Sequence, residues 1–81
     1  MRFELDTEVN ALYIYFREIL PGGVARTIEL KEGINLDVDA EDRILGMEFV
    51  DAGDFYTYLE AHGGELDIPE RVEDLKGLTP A

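Results

Sequence analysis

The stretch from Ile34 to Val50, INLDVDAEDRILGMEFV, constrains the fold more than any other part of this chain. Ile34, Leu36 and Val38 alternate with Asn35, Asp37 and Asp39, the period-2 pattern of a strand with one face buried and one face wet. Polar Ala40-Glu41-Asp42 turns the chain, and Arg43 to Val50 returns as a more apolar strand. On that return strand Leu45, Met47 and Phe49 share one face, and Ile44, Gly46, Glu48 and Val50 share the other. Gly46 brings no side chain, so another backbone, an aromatic ring or a bulge is expected against it. A lone hairpin is marginal in water, so this one needs further strands beside it or a helix beneath it.

The flanking sequence supplies both. Arg2 to Asp6 reads as a short strand with Phe3 and Leu5 on one face, and Thr7-Glu8-Val9-Asn10 supplies turn chemistry. Ala11 to Arg17 (ALYIYFR) is dense in aromatic and β-branched residues, the composition that suits a pleated, half-buried surface. Its Leu12, Ile14 and Phe16 should face the core, with Tyr13 and Tyr15 opposite. Pro21-Gly22-Gly23 breaks the chain before Val24 to Leu30, a third strand on which Arg26 shares a face with Val24, Ile28 and Leu30. An edge position or a bulge would accommodate that arginine. After Gly53 the period changes: with Asp54 as N-cap, Phe55, Tyr58, Leu59 and His62 fall on one helical face, and Gly63-Gly64 ends it. A second short helix is expected from Pro69, with Ile68, Val72 and Leu75 on its apolar side and Lys76-Gly77 closing it. The expected architecture is α+β: one domain over residues 1–81, with a small, mostly antiparallel sheet of about five strands in residues 3–52 and one or two C-terminal helices in residues 53–81.

Eighty-one residues without cysteine allow only a thin core, and 46% apolar residues are generous for so little interior. A subunit interface is the simplest extra source of stability, which points to a homodimer with one sheet face under the helix and the other against a second subunit. Nineteen Asp and Glu against seven Lys and Arg leave a net charge of −12. Phosphate neutralisation needs the opposite sign, so nucleic acid and anionic membrane surfaces are excluded as expected partners. A basic protein partner fits the charge, and so does plain solubility. No apolar h-region opens the chain and no apolar run approaches membrane-spanning length, so a cytoplasmic protein is expected.

Chemistry has few footholds. With neither Ser nor Cys, serine and cysteine triads are excluded. The threonines, among them Thr27, have no activating neighbour in sequence. His62 is the single histidine and cannot build a multi-imidazole metal site. Carboxylates are the abundant groups, and Asp37, Asp39, Glu41 and Glu48 stand at positions 1, 3, 5 and 12 of a calcium-loop spacing. Against that match, Asp42 occupies the position where the loop needs glycine, and strands rather than helices flank it. In a hairpin Asp37 and Asp39 would share a face about 7 Å apart, so a weakly held cation and a solvated acidic face are the two readings. Glu48 is the carboxylate best placed for a raised pKa, unless Arg26 or Arg43 pairs with it and lowers it. No catalytic residue and no cofactor is expected. No phosphate-binding glycine loop occurs, because Gly22-Gly23 and Gly63-Gly64 lack the spacing.

Asn10-Ala11-Leu12-Tyr13-Ile14, Thr27, Glu29, Gly33 to Asp39 (GINLDVD) and Ile44 to Phe49 (ILGMEF) together resemble the bacterial and archaeal family known as domain of unknown function 2283, over roughly residues 3–52. Two positions depart from the family pattern, which usually has an acidic residue where Asn10 stands and glycine where Asp42 stands. Asp tolerates the left-handed backbone a glycine would fill there, so a type I turn with a bulge at Asp42 is expected. The resemblance implies a small β-rich fold and no established activity. Some similar proteins are encoded beside small toxin-like partners, which implies an antitoxin-like or accessory binding role. The expectation is thus an acidic protein-interaction module that uses Tyr13 and Tyr15 as its interface, unless that pair is ordinary packing. The alternative is a small metal-binding protein or enzyme built on Asp37, Asp39 and Glu48.

Overall fold

The computed structural model describes residues 1–75. Its elements are β1 (Arg2–Asp6), β2 (Ala11–Tyr15), β3 (Arg26–Lys31), β4 (Ile34–Val38), β5 (Ile44–Phe49), helix α1 (Gly53–Ala61) and a 3-10 turn at Val72–Asp74. The five strands form one sheet in the order β1-β2-β5-β4-β3, every neighbouring pair antiparallel. Two local units, the β1–β2 hairpin and the β3–β4–β5 meander, join along the β2–β5 seam. Turn chemistry fixes both. Asn10 (φ 56°) closes the first hairpin and Asp42 (φ 64°) closes the β4–β5 turn, each in left-handed backbone that Asn and Asp tolerate.

Asp39 holds the second turn together. Its Oδ1 accepts the Glu41 and Arg43 backbone N–H groups, each at 2.9 Å, and its Oδ2 accepts Arg43 Nε at 2.8 Å. Desolvation alone would raise the Asp39 pKa, but these hydrogen bonds and the Arg43 charge outweigh it and hold the carboxyl below its ordinary value of 3.8. A lowered folded-state pKa means the charged turn stabilises the fold above the ordinary carboxylate range. That contribution is lost as pH falls through the lower, folded-state value. Asp39→Asn keeps an acceptor but removes the charge. It should lower the melting temperature at neutral pH and have a progressively smaller effect in acid, measured by thermal melts across pH.

One sheet face carries the core. Ile14, Leu36, Met47 and Phe49 are fully buried, with Leu12, Leu30, Ile34 and Ile44 beside them. Helix α1 lies over them through Tyr58 and Phe55. Phe49 meets Phe55 and Tyr58 edge-on, at centroid distances of 5.3 and 5.8 Å. The return strand differs from simple alternation in one respect. Asp37 pairs with Gly46 and Val38 with Ile44, so Leu45 is an extra, bulged residue. The bulge shifts the phase of the strand, and Ile44 joins the core cluster instead of the face of Gly46 and Glu48. On β3, Arg26 is accommodated by its edge position and pairs with Asp42 Oδ1 at 2.6 Å. Val24 lies ahead of the strand and is exposed.

The C-terminal segment departs further from expectation. Ala52, not Asp54, is the N-cap residue of α1, and Asp51 Oδ1 takes the Gly53 N–H at 3.0 Å. Asp54 lies within the first turn, where its charge favours the helix dipole. Gly63 and Gly64 end the helix in left-handed backbone, and the Gly64 N–H returns to the Leu59 carbonyl. The helix expected from Pro69 is only the 3-10 turn at Val72–Asp74. The reason is tertiary: Ile44 N–H donates to the Glu70 carbonyl and Val72 N–H to the Asp42 carbonyl, so the chain there is extended against the β4–β5 turn. From that position Ile68, Val72 and Leu75 pack on the core cluster. The expected closure at Lys76-Gly77 lies outside the described residues.

Candidate functional site

The face of the sheet turned away from α1 gathers polar side chains from all five strands. On β2, Tyr13 and Tyr15 point to this side, with ring centroids 4.6 Å apart. Tyr15 is cross-strand to Gly46, and Gly46 is cross-strand to Asp37. Because Gly46 has no side chain, the Tyr13 ring lies diagonally across it; a Cβ built there would collide with the Tyr13 hydroxyl. The ring thereby spans β5, and its hydroxyl donates to Asp37 Oδ2 on β4 at 2.6 Å. The other carboxylate oxygen, Oδ1, accepts Thr27 Oγ1 from β3, also at 2.6 Å. One row later Asn35 Nδ2 donates to Glu48 Oε1 at 3.2 Å. A linked polar band thus crosses four strands.

Burial raises the Tyr13 pKa above 10.0, and the Asp37 hydrogen bond and charge raise it further. Tyr13 is therefore a fixed hydrogen-bond donor at any ordinary pH and not a base. Burial raises the Tyr58 pKa as well, with the Asp67 charge adding to it. In both cases the neutral form is favoured by folding, so the stabilisation is complete below about 10 and is lost as pH rises beyond it. In an ultraviolet titration Tyr13 and Tyr58 should ionise only with unfolding. Tyr13→Phe should remove one late-titrating group.

Beside the band lies a hollow of about 230 Å³. Glu4 and Asp6 of β1, Glu48 of β5 and the rings of Tyr13 and Tyr15 line it. Three carboxylates and two tyrosines, with no cation among the lining residues, make a surface that attracts positive charge. The band already holds one such group at its rim: the Arg2 guanidinium lies 3.8 Å above the Tyr15 ring and 3.3 Å from Glu4 Oε2. Tyr15 in turn donates to Glu4 Oε1 at 3.1 Å. The larger clefts, of about 450 and 490 Å³, border the segment between β2 and β3. Of their guanidinium groups Arg43 pairs with Asp39 and Arg2 with Glu4, while Arg17 reaches Glu70 through Nη2 at 3.5 Å and keeps a buried Nε without a hydrogen-bond partner.

The sequence-derived residues separate into different networks. Tyr13, Tyr15, Asp37 and Glu48 meet on the open face. Asp39 turns away into the β4–β5 turn, and Glu41 beside it is exposed, with Oε2 3.6 Å from Arg43 Nη2. Asp37 and Asp39 therefore do not act as a pair, and among the described residues no group of three or more His, Cys, Asp or Glu is arranged to hold a metal ion. Glu48 takes its hydrogen bond from Asn35 and not from Arg26 or Arg43, which pair with Asp42 and with Asp39. His62 stacks on Tyr58 at 4.0 Å, with Nδ1 2.7 Å from the Tyr58 carbonyl oxygen, a structural helix-end contact. Glu4 and Asp6 are site residues that the sequence alone did not mark, and Thr27, read there as a threonine without an activating neighbour, is a hydrogen-bond donor to Asp37. Their odd–even phase relative to Tyr13 and Asp37 would have marked Glu4 and Asp6 once strand pairing was known.

The model of a family described as a protein of unknown function, DUF2283, matches residues 2–52, well over half the chain. The chain belongs to the DUF2283 family. The match spans all five strands, and with them the open-face band, and ends just before α1. Comparison with curated proteins and with solved structures finds no match for this DUF2283 protein. Among the described residues no helix is long and apolar enough to cross a membrane.

Proposed function

We propose that this DUF2283 protein is an acidic protein-interaction module that receives a basic partner on the tyrosine–carboxylate face. The observation that carries the reading is the hollow beside Tyr13 and Tyr15, walled by Glu4, Asp6 and Glu48, whose three carboxylates outnumber the single cation at the rim, Arg2 beside Glu4. A lysine or arginine entering it would find carboxylates at its head and aromatic faces along its stem, as Arg2 does at the rim over Tyr15. The net charge of −12 steers such a partner towards the molecule over long range. An antitoxin-like or accessory role is the form this reading takes if the partner is a small basic protein. The alternative, a metal or catalytic site on Asp37, Asp39 and Glu48, draws no support from the geometry, since these carboxylates serve three separate contacts.

The test is affinity capture from the source cells at low salt, comparing the unaltered protein with Tyr15→Ala/Glu48→Gln. The expected result is a basic protein retained by the former, released by raised salt and lost in the variant. Retention unchanged by both salt and the double substitution would contradict it.

A further inference from the structure

The two edges of the sheet are unlike. Both carry three charged side chains, but β3 is also interrupted by a bulge between Glu29 and Lys31, a device that discourages strand addition. β1 has neither bulge nor proline: its register with β2 is unbroken from Arg2 to Asp6, and every residue in it is exposed. Phe3 and Leu5 are each 52% exposed although they lie on the helix-side face, and Met1 is more open still. Phe3 also ends an aromatic row, with its ring 5.9 Å from Phe55, which in turn meets Phe49.

We propose that β1 pairs antiparallel with β1 of a second copy about a two-fold axis at Phe3, so that one sheet runs through both molecules. Directly opposed residues of antiparallel strands share a face, so the axis must pass through a self-paired residue. Only three registers use the strand well. Centring on Glu4 joins Arg2 to Asp6 and Phe3 to Leu5 but sets Glu4 against Glu4 at the axis, and centring on Leu5 sets Glu4 against Asp6, twice over. Centring on Phe3 sets Arg2 against the second copy's Glu4 twice, Phe3 against Phe3, and Met1 against Leu5 twice. It alone joins opposite charges and apolar side chains throughout, and such cross-strand pairs are what stabilise a sheet. The open face is a poorer choice for self-association, because two copies would oppose Glu4, Asp6 and Glu48 to their own like. Edge pairing shares only Glu4 with the hollow and leaves Asp6, Tyr13, Tyr15 and Glu48 of each copy free, so Tyr15→Ala/Glu48→Gln, which spares β1, should abolish capture of a basic partner and leave the dimer intact. Salt separates the two further: it weakens the hold on a basic partner while screening the repulsion between two acidic copies.

Sedimentation velocity on the full chain, with circular dichroism to confirm folding, tests the pairing. The unaltered protein should sediment as a dimer at micromolar concentration. Arg2→Glu, which sets two glutamates against Glu4, should raise the dissociation constant about tenfold or more. Combining it with Glu4→Arg should restore the dimer, because the exchanged charges again oppose each other. A monomeric mass for the unaltered protein, or a dimer unaffected by Arg2→Glu, would overturn the proposal.

Discussion

Phe49→Ala should destabilise the protein by about 3–5 kcal/mol, the range for deleting a buried aromatic ring. Phe49 is fully buried, is cross-strand to Leu12 on one side and Ile34 on the other, and bears the edge-on contacts with Phe55 and Tyr58. It therefore joins the two β units and fastens the helix to both. A domain of this length has roughly 4–12 kcal/mol of total stability, so the variant should lose between about a quarter and all of it. Urea denaturation followed by circular dichroism gives the loss directly. A cost below about 1 kcal/mol, the scale of a surface change, would mean that α1 does not rest on this ring.

Gly46→Ala should have the second largest effect, and its sign should depend on a residue on another strand. An added Cβ meets the Tyr13 ring, so the ring must leave and the hydrogen bond to Asp37 goes with it. Overpacking of this kind costs about 1–3 kcal/mol. With Tyr13 already replaced by alanine the obstruction is gone, and alanine in a strand interior should then be better than glycine by about 0.5–1 kcal/mol. The reversal is measured as the coupling in a double-mutant cycle of urea midpoints. Equal effects in the two backgrounds would show that Tyr13 does not occupy the space above Gly46.

The reversal also shows how much of the site could be read from the sequence. A glycine in the middle of an apolar strand announced a close neighbour, and an aromatic ring is what lies there. Which ring, and that it stretches on to Asp37, depends on the β2–β5–β4 order, a long-range pairing that local alternation does not encode. Asn10 and Asp42 were legible for the same reason as Gly46: their chemistry fits a backbone conformation that few other residues accept. The bulge at Leu45 was not. Ile44 and Leu45 are both apolar, so an extra residue leaves no mark on the pattern while reversing the face that Ile44 occupies. The helix expected from Pro69 failed on a tertiary competition, because the Glu70 carbonyl and the Val72 amide bond to Ile44 and Asp42 at the β4–β5 turn instead. Asp37 and Asp39 read as one pair along a strand, but the strand ends between them, and each finds its own donors.

The claim that the open face is the contact surface is tested most directly by nuclear magnetic resonance of the uniformly labelled protein titrated with a short arginine-rich peptide at low salt. Shift changes should concentrate at Glu4, Asp6, Tyr13, Tyr15 and Glu48 and be reversed by added salt. Changes spread evenly over the acidic residues of α1 and the turns, with none favouring the tyrosine hollow, would contradict it.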